Sequence, residues 1–142
     1  LAFCGLGLPT GEVRNQLIYL QDLVPTVYDL VGIKKPNHLE FISQINALKS
    51  SKASSHRKAI YSAYLQEAQR MVTDGHYKLF FIPASKDAYL FDLEKDPQET
   101  NNLFGSPQYK RIVKRLCAEY QKLSKESGDT FNLAAIYPEL FQ

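Results

Sequence analysis

In "QRMVTDGHYKLFFI", residues 69–82, an Asp-Gly pair stands between two short runs of residues that favour strands. The spacing predicts an antiparallel hairpin closed by a two-residue turn at Asp74-Gly75, since both central residues of such a turn need positive φ. A lone hairpin is marginal in water, so further strands and a cover must come from the rest of the chain. "KAIYSAYL" upstream and "AYLFDL" downstream, the latter after "PASKD", supply one strand each. Four consecutive antiparallel strands are therefore expected. Along "HYKLFFI", Tyr77, Leu79 and Phe81 share one face while Phe80 and Ile82 lie on the other, so part of the sheet should be covered on both sides.

The expected cover is a helix from about Pro107 to Lys125. Tyr109, Ile112, Val113, Leu116, Tyr120 and Leu123 fall on one stripe at spacings of three and four, and Lys110, Arg111, Lys114, Arg115 and Lys122 occupy the remainder. Glu119 and Glu126 interrupt the basic face, and no aromatic residues interleave with it for base stacking. It reads as a solvated face, with no nucleic acid as partner. Composition agrees: 17 Lys and Arg against 15 Asp and Glu leave a formal charge of +2, too small to argue for a polyanion. With 142 residues, 44% of them hydrophobic, the chain can build a real core.

The N-terminal part is less regular. "LAFCGL" reads as a buried strand feeding the turn "GLPTGE". In "QDLVPTVYDLVG", Leu23, Val27, Leu30 and Val31 recur at helical spacing, Asp22 can cap the first turn, Pro25 falls early, and Gly32 ends the helix. From Asn37 to Arg57 the pattern weakens, and "LKSSKASSHR" reads as an exposed basic loop. The tail "DTFNLAAIYPELFQ" after Gly128 is apolar enough to dock. No apolar run approaches the ~20 residues that span a bilayer. The sequence opens on Leu inside an expected strand, so a piece of a longer protein is expected.

The residues offer little chemistry of their own. "FDLEKDPQETNNL" places Asp92, Glu94 and Asp96 at alternate positions, as in a calcium loop, but the sixth position is Pro97 and the twelfth is Leu103, where glycine and glutamate are required. Asp96 as N-cap, Pro97 at the first helical position and Glu99 reaching back account for more of it as the start of a helical turn. His38, His56 and His76 have no metal-ligand spacing, and Cys4 and Cys117 fit neither a metal site nor a disulfide framework. No serine sits in a G-x-S-x-G elbow, and "GLGLPTG" lacks phosphate-loop spacing. His56 with Arg57 at a loop end is a place where an anion could bind.

Taken in order, "CGLGLPTGEVRNQLIYLQDLVPTVYDLVGI", "QRMVTDGHYKL" and "YLFDLEKDPQETNNL" resemble the C-terminal third of the formylglycine-dependent sulfatases, within the alkaline-phosphatase-like superfamily. The resemblance covers roughly Leu1 to Glu126. It implies an α/β protein whose part seen here is α+β: the C-terminal part of an alkaline-phosphatase-like fold, with a four-stranded antiparallel sheet packed against a long C-terminal helix. The implied organisation is 1–48 as the end of the large α/β domain, 49–57 as an exposed basic loop, 58–126 as the sheet-and-helix subdomain, and 127–142 as a tail. Two departures stand out, Leu6 where the family often has Pro and Thr73 where it often has Arg.

The resemblance implies that the full protein hydrolyses sulfate esters: a hydrated formylglycine attacks sulfur, calcium neutralises the sulfate oxygens and a general acid protonates the leaving alcohol. The C-x-P-S-R or S-x-P-S-R motif that yields formylglycine, the calcium carboxylates and the catalytic Lys and His are not in this sequence. No catalytic residue, metal or cofactor is therefore expected on this chain alone. Its implied partners are the rest of the sulfatase chain and a sulfated small molecule or glycan, with a periplasmic or secreted location. If any residue here reaches substrate, the expected ones are His56, Arg57, Arg70 and His76 at the rim of the cleft. Two other readings stand beside this one: a non-catalytic module that holds an anionic glycan or protein through the basic loop from Lys49 to Lys58, and a fragment of a related phosphodiesterase or phosphonate hydrolase.

Overall fold

Alternation of period two builds the sheet. In a computed structural model of the chain, which describes every residue except 1, 6, 66, 67 and 142, strands β1 (Ile60–Tyr64), β2 (Gln69–Thr73), β3 (Tyr77–Ile82) and β4 (Asp87–Asp92) form one antiparallel sheet in sequential order. The register places Val72 opposite Leu79, and Leu79 opposite Leu90. Because side chains alternate, those residues and Phe81 all face one side, where each is fully buried. The opposite side carries an aromatic row. Phe80 lies across from Tyr89 with ring centroids 6.2 Å apart, and Tyr89 stacks on Phe91 at 6.1 Å, so the sheet is covered on one face and half-buried on the other.

The hairpin forms where Asp-Gly predicted it, but with a different turn. Only Gly75, at φ +90°, takes positive φ, and the loop between the strands holds three residues, 74–76. The reason is local: Asp74 Oδ1 accepts the backbone N–H groups of His76 (2.9 Å) and Tyr77 (2.7 Å), so a side chain does what a two-residue turn would do with backbone alone. Asp74 Oδ2 also receives Arg115 Nη2 at 2.6 Å, which fastens the hairpin to the long helix.

That helix, α3 (Lys110–Glu126), follows a short 3-10 turn at Pro107–Tyr109. Val113, Leu116, Cys117 and Tyr120 are buried on the sheet, with Tyr109, Ile112 and Leu123 packed beside them, as the stripe predicted. The tail then returns over the same core. Leu133 and Tyr137 are buried, the Tyr137 hydroxyl donates to the Asp87 carbonyl at 2.8 Å, and Phe141 lies 5.8 Å from the Tyr120 ring. The chain divides between Lys58 and Ala59 into two units, with the sheet, α3 and the tail all in the second.

In the first unit, α1 (Leu23–Leu30) follows a 3-10 turn at Leu20–Asp22, and a five-residue helix, α2 (Ile45–Lys49), lies within the stretch whose pattern looked weak. Gly32, at φ +70°, ends α1 as expected. Two expectations are corrected. The described residues 2–5 form no strand, since a strand exists only against a hydrogen-bonded neighbour and the described sheet uses residues 60–92 alone. The departure noted at Leu6 lies outside the described residues. Secondly, the helical spacing of Val27 and Val31 does not mark a buried face: they are 45% and 54% exposed, whereas Asp22, expected as a cap, and Thr26 are fully buried.

Candidate functional site

Asp22 does not cap α1 by reaching forward. Its carboxylate turns back and inward, accepting the N–H of Tyr19 (3.0 Å), the N–H of Ile42 (3.1 Å) and the side-chain amide of Gln44 (3.2 Å). Arg57 completes the shell with two parallel bonds, Nη1 to Oδ2 at 2.6 Å and Nη2 to Oδ1 at 2.8 Å, and its guanidinium lies 4.8 Å from the Tyr19 ring centre. A fork of this kind matches a carboxylate in both geometry and charge. Thr26 donates to the Asp22 carbonyl at 2.6 Å and accepts the Gln44 N–H at 2.9 Å. Beside this knot is a cavity of about 400 Å³ whose lining includes Phe3, Leu8, Arg14, Gln16, Asp22 and Gln44. The carbonyl oxygens of the Gln16 and Gln44 side chains are buried there without a hydrogen-bond partner.

Of the four residues expected at a substrate rim, Arg57 is therefore engaged internally. Arg70 is engaged in the same way in the second unit: only 3% of its side chain is exposed, Nε and Nη2 donate to Asp129 at 2.7 and 3.2 Å, Nη1 donates to the carbonyls of Leu65 and Gln69, and the guanidinium lies 4.6 Å from the centre of the Phe131 ring. Tyr61 donates a short hydrogen bond to the same carboxylate. Burial pushes the Asp129 carboxyl up, but Arg70 and Tyr61 outweigh it and hold it below the usual carboxylate value. Arg70 is thus an interior clamp rather than an exposed cation, because β2 points it at the end of α3.

His76 and His56 differ from the arginines. His56 is exposed in the loop. His76, at the hairpin, stacks on Tyr77 with centroids 4.1 Å apart, and its Nε2 lies 3.2 Å from Asp92 Oδ1 and 3.6 Å from Glu94 Oε2. Its side chain keeps 40% exposure. Arg70 and His76 sit at opposite ends of the sheet: Arg70 pairs with Phe81 and His76 precedes Tyr77, a separation of five residues of strand, about 16 Å.

The acidic stretch is bound up with its own neighbours. Burial raises the Asp92 carboxyl, but the Lys95 N–H, His76 and the Lys95 ammonium bring it below its ordinary value. Asp96 accepts Asn101 N–H at 2.8 Å and Thr100 Oγ1 at 3.1 Å, and Glu99 holds Lys78 Nζ at 2.9 and 2.7 Å. The expected capping box does not form. Glu99 takes φ +56° in a tight turn whose backbone bond runs from its own N–H to the Asp96 carbonyl, which sends its side chain to β3 instead of back to Asp96. The described residues do not fit calcium: three of these four carboxylates are occupied by protein donors, and no cluster of three or more His, Cys, Asp or Glu among the described residues could hold a metal. No described helix is long and apolar enough to cross a membrane.

Two central residues escaped the sequence reading, Asp22 in its true role and Asp129. The available signals were faint. Asp22 and Thr26 stand four apart on an otherwise apolar helix, and Asp129 directly follows the helix-ending Gly128, but neither spacing names a partner 35 or 59 residues away.

A family model described as "N-sulphoglucosamine sulphohydrolase, C-terminal" matches residues 6–126. An uncharacterized protein of Haemophilus influenzae is 33% identical over 119 residues, covering 81% of this chain and 60% of that protein. A Delta 4,5-hexuronate-2-O-sulfatase of Bacteroides thetaiotaomicron is 31% identical over 114 residues, covering 74% of this chain and 24% of the relative. Among solved structures, a 2-O GAG sulfatase superposes with a TM-score of 0.63 at 30% identity, over 76% of this chain and 25% of that one. The chain thus spans 60% of the Haemophilus relative and about a quarter of the two sulfatases.

Proposed function

The chain belongs to the N-sulphoglucosamine sulphohydrolase C-terminal family, and on that premise we propose that it is the C-terminal portion of a sulfatase that hydrolyses sulfate esters of a carbohydrate. The observation that carries the reading is the family match across residues 6–126, which includes the whole sheet and α3. The fold supports it, since sheet and helix form the C-terminal subdomain of alkaline-phosphatase-like sulfatases. The names of the relatives support the substrate class: one is a hexuronate-2-O-sulfatase and another a 2-O GAG sulfatase.

In this reading calcium and formylglycine belong to the remainder of the protein, where they would supply charge neutralisation and the nucleophile. No step of that chemistry falls to a residue of this chain. Arg57 and Arg70 hold the frame through Asp22 and Asp129. His56 and His76 are the rim candidates, His76 being half exposed and oriented by Asp92; beside two carboxylates it suits sugar hydroxyls better than a sulfate. A periplasmic or secreted location is part of the same proposal.

The test compares the full-length protein with residues 1–142 alone on an aryl sulfate and an aryl phosphonate. Calcium-dependent sulfate release by the full-length protein and none by the fragment is expected, together with a C-x-P-S-R or S-x-P-S-R motif in the residues encoded before Leu1. Turnover by the fragment, a preference for the phosphonate, or a gene that begins at Leu1 would each overturn the reading.

A further inference from the structure

Charge is segregated in the sheet unit. Outside α3, residues 59–142 hold four Lys and Arg against nine Asp and Glu, whereas α3 holds six against two. A unit close to neutral as a whole thus concentrates its positive charge on one element. Of the six, only Arg115 is in an ion pair, with Asp74, among the described residues. The other five, Lys110, Arg111, Lys114, Lys122 and Lys125, are all exposed. At about 100° per residue they fall within roughly 120° of arc, shared only with Ala118 and Gln121, and Glu119 and Glu126 lie beyond its edge, past Arg115. The arc runs about 22 Å along the axis and faces away from Leu116 and Tyr120, which are buried on the sheet. Lys110 with Lys114, and Arg111 with Arg115, are like-charged pairs four apart, which weakens a helix left to itself. An anion lying across them removes that repulsion.

A groove of about 490 Å³ opens at the N-terminal end of this arc, where Lys110 and Lys114 share its wall with Phe104, Ser106, Val113 and Glu139. We propose that the outer face of α3, with this groove at one end, binds a sulfated polysaccharide. The class of ligand rests on the functional reading above, in which the substrate is a sulfate ester of a carbohydrate. Sulfate groups match the five unpaired cations by charge. The groove suits a sugar better than a bare anion: Phe104 and Val113 present apolar surface to a ring face, and Ser106 and Glu139 are polar partners for sugar hydroxyls. It suits nucleic acid less well, since one phenylalanine makes no stacking platform for successive bases, and the acidic remainder of the unit repels a polyanion that reaches past this face. The surface holds the polymer, and no bond is made or broken on it.

The experiment titrates the full-length protein with heparin, uncharged dextran and duplex DNA by calorimetry at about 0.15 M salt, where weak exposed charge contacts are screened. The helix variant is Lys110→Gln/Arg111→Gln/Lys114→Gln/Lys122→Gln/Lys125→Gln, because glutamine removes the charge and keeps helix propensity. The comparison variant neutralises the basic loop instead, Lys49→Gln/Lys52→Gln/Lys58→Gln. Heparin binding that weakens as salt rises, no binding of dextran, and a loss of tenfold or more in the helix variant are expected. Lys114→Gln/Lys122→Gln should lose about threefold, so a folding defect in the fivefold variant, seen by circular dichroism, does not decide the result. Absence of heparin binding, a smaller loss in the helix variants, a larger loss in the loop variant, or DNA bound as tightly as heparin would each overturn the proposal. Failure of the sulfatase reading is distinguished by activity: a full-length protein that binds heparin through α3 yet releases no sulfate from an aryl sulfate keeps the surface and refutes the reaction.

Discussion

Replacing Asp129 by Ala should unfold the sheet unit more readily than any surface change. The substitution removes the acceptor of two Arg70 bonds, of the Tyr61 hydroxyl and of the Phe131 N–H, and takes the Asp129 carboxylate away from a guanidinium with 3% side-chain exposure. Breaking a buried ion pair in this way costs about 3–5 kcal/mol. Asp129 itself keeps 14% exposure, so the lower end, about 3 kcal/mol, is the expected value. For a unit of this size that corresponds to roughly 12–24 °C in Tm. The assay is urea and thermal unfolding followed by far-UV circular dichroism, with Arg70→Met and the Arg70→Met/Asp129→Ala double variant closing a cycle. Tyr61 loses its acceptor in the single Asp129 variant and in the double, so the coupling isolates the pair. The double variant should lose less than the sum of the singles. A cost below about 1 kcal/mol for Asp129→Ala, or strict additivity, would refute the reasoning and make the pair a solvent-screened one. The pH dependence has a definite sign. The folded carboxyl of Asp129 is held below its ordinary value of 3.8, so its stabilisation is present above that value and is lost as pH falls through the lower folded one.

Leu116→Ala, at a site with no exposure, should cost about 2–5 kcal/mol by transfer and cavity terms, measured by the urea midpoint at unchanged slope. Arg57→Lys keeps the charge but loses the fork on Asp22, and should speed hydrogen exchange at the Tyr19 and Ile42 amides bonded to that carboxylate; unchanged exchange would mean that Asp22 holds those amides unaided. At high pH the sign reverses. Burial pushes Tyr120, Tyr137 and the Cys117 thiol each up to about 12, so their contribution is complete below the unfolded values, near 9 for Cys and 10 for Tyr, and is lost as pH rises towards about 12. Alkaline unfolding monitored by tyrosinate absorbance should therefore be cooperative, and gradual titration of these tyrosines in a folded protein would contradict their burial.

The sheet and its helix were legible because their determinants are local. Strict alternation in 77–82, the Asp-Gly pair and the three-and-four spacing from Tyr109 to Leu123 each act over a few residues, and burial agreed with all of them. The turn was misjudged in detail because the Asp74 side chain, not the backbone, satisfies the N–H groups of residues 76 and 77. The rim residues were the weakest expectation. A positive charge beside a loop looks the same in sequence whether it faces an anionic sugar or a carboxylate on the same chain, and Arg57 and Arg70 turned out to face carboxylates.

By itself, the sequence determined the strand order, the amphipathic cover and the membership of a sulfatase family, since periodicity and short motifs are properties of neighbouring residues. Only the tertiary structure decided which face of α1 points inward. Hydrophobic periodicity alone would turn Val27 and Val31 inward, but a buried carboxylate must have partners, and Arg57, Gln44 and the Ile42 N–H supply them on the other side of the helix. Leaving Asp22 unpaired in the interior would cost more than exposing these valines, so the polar contact orients the helix and leaves them outward.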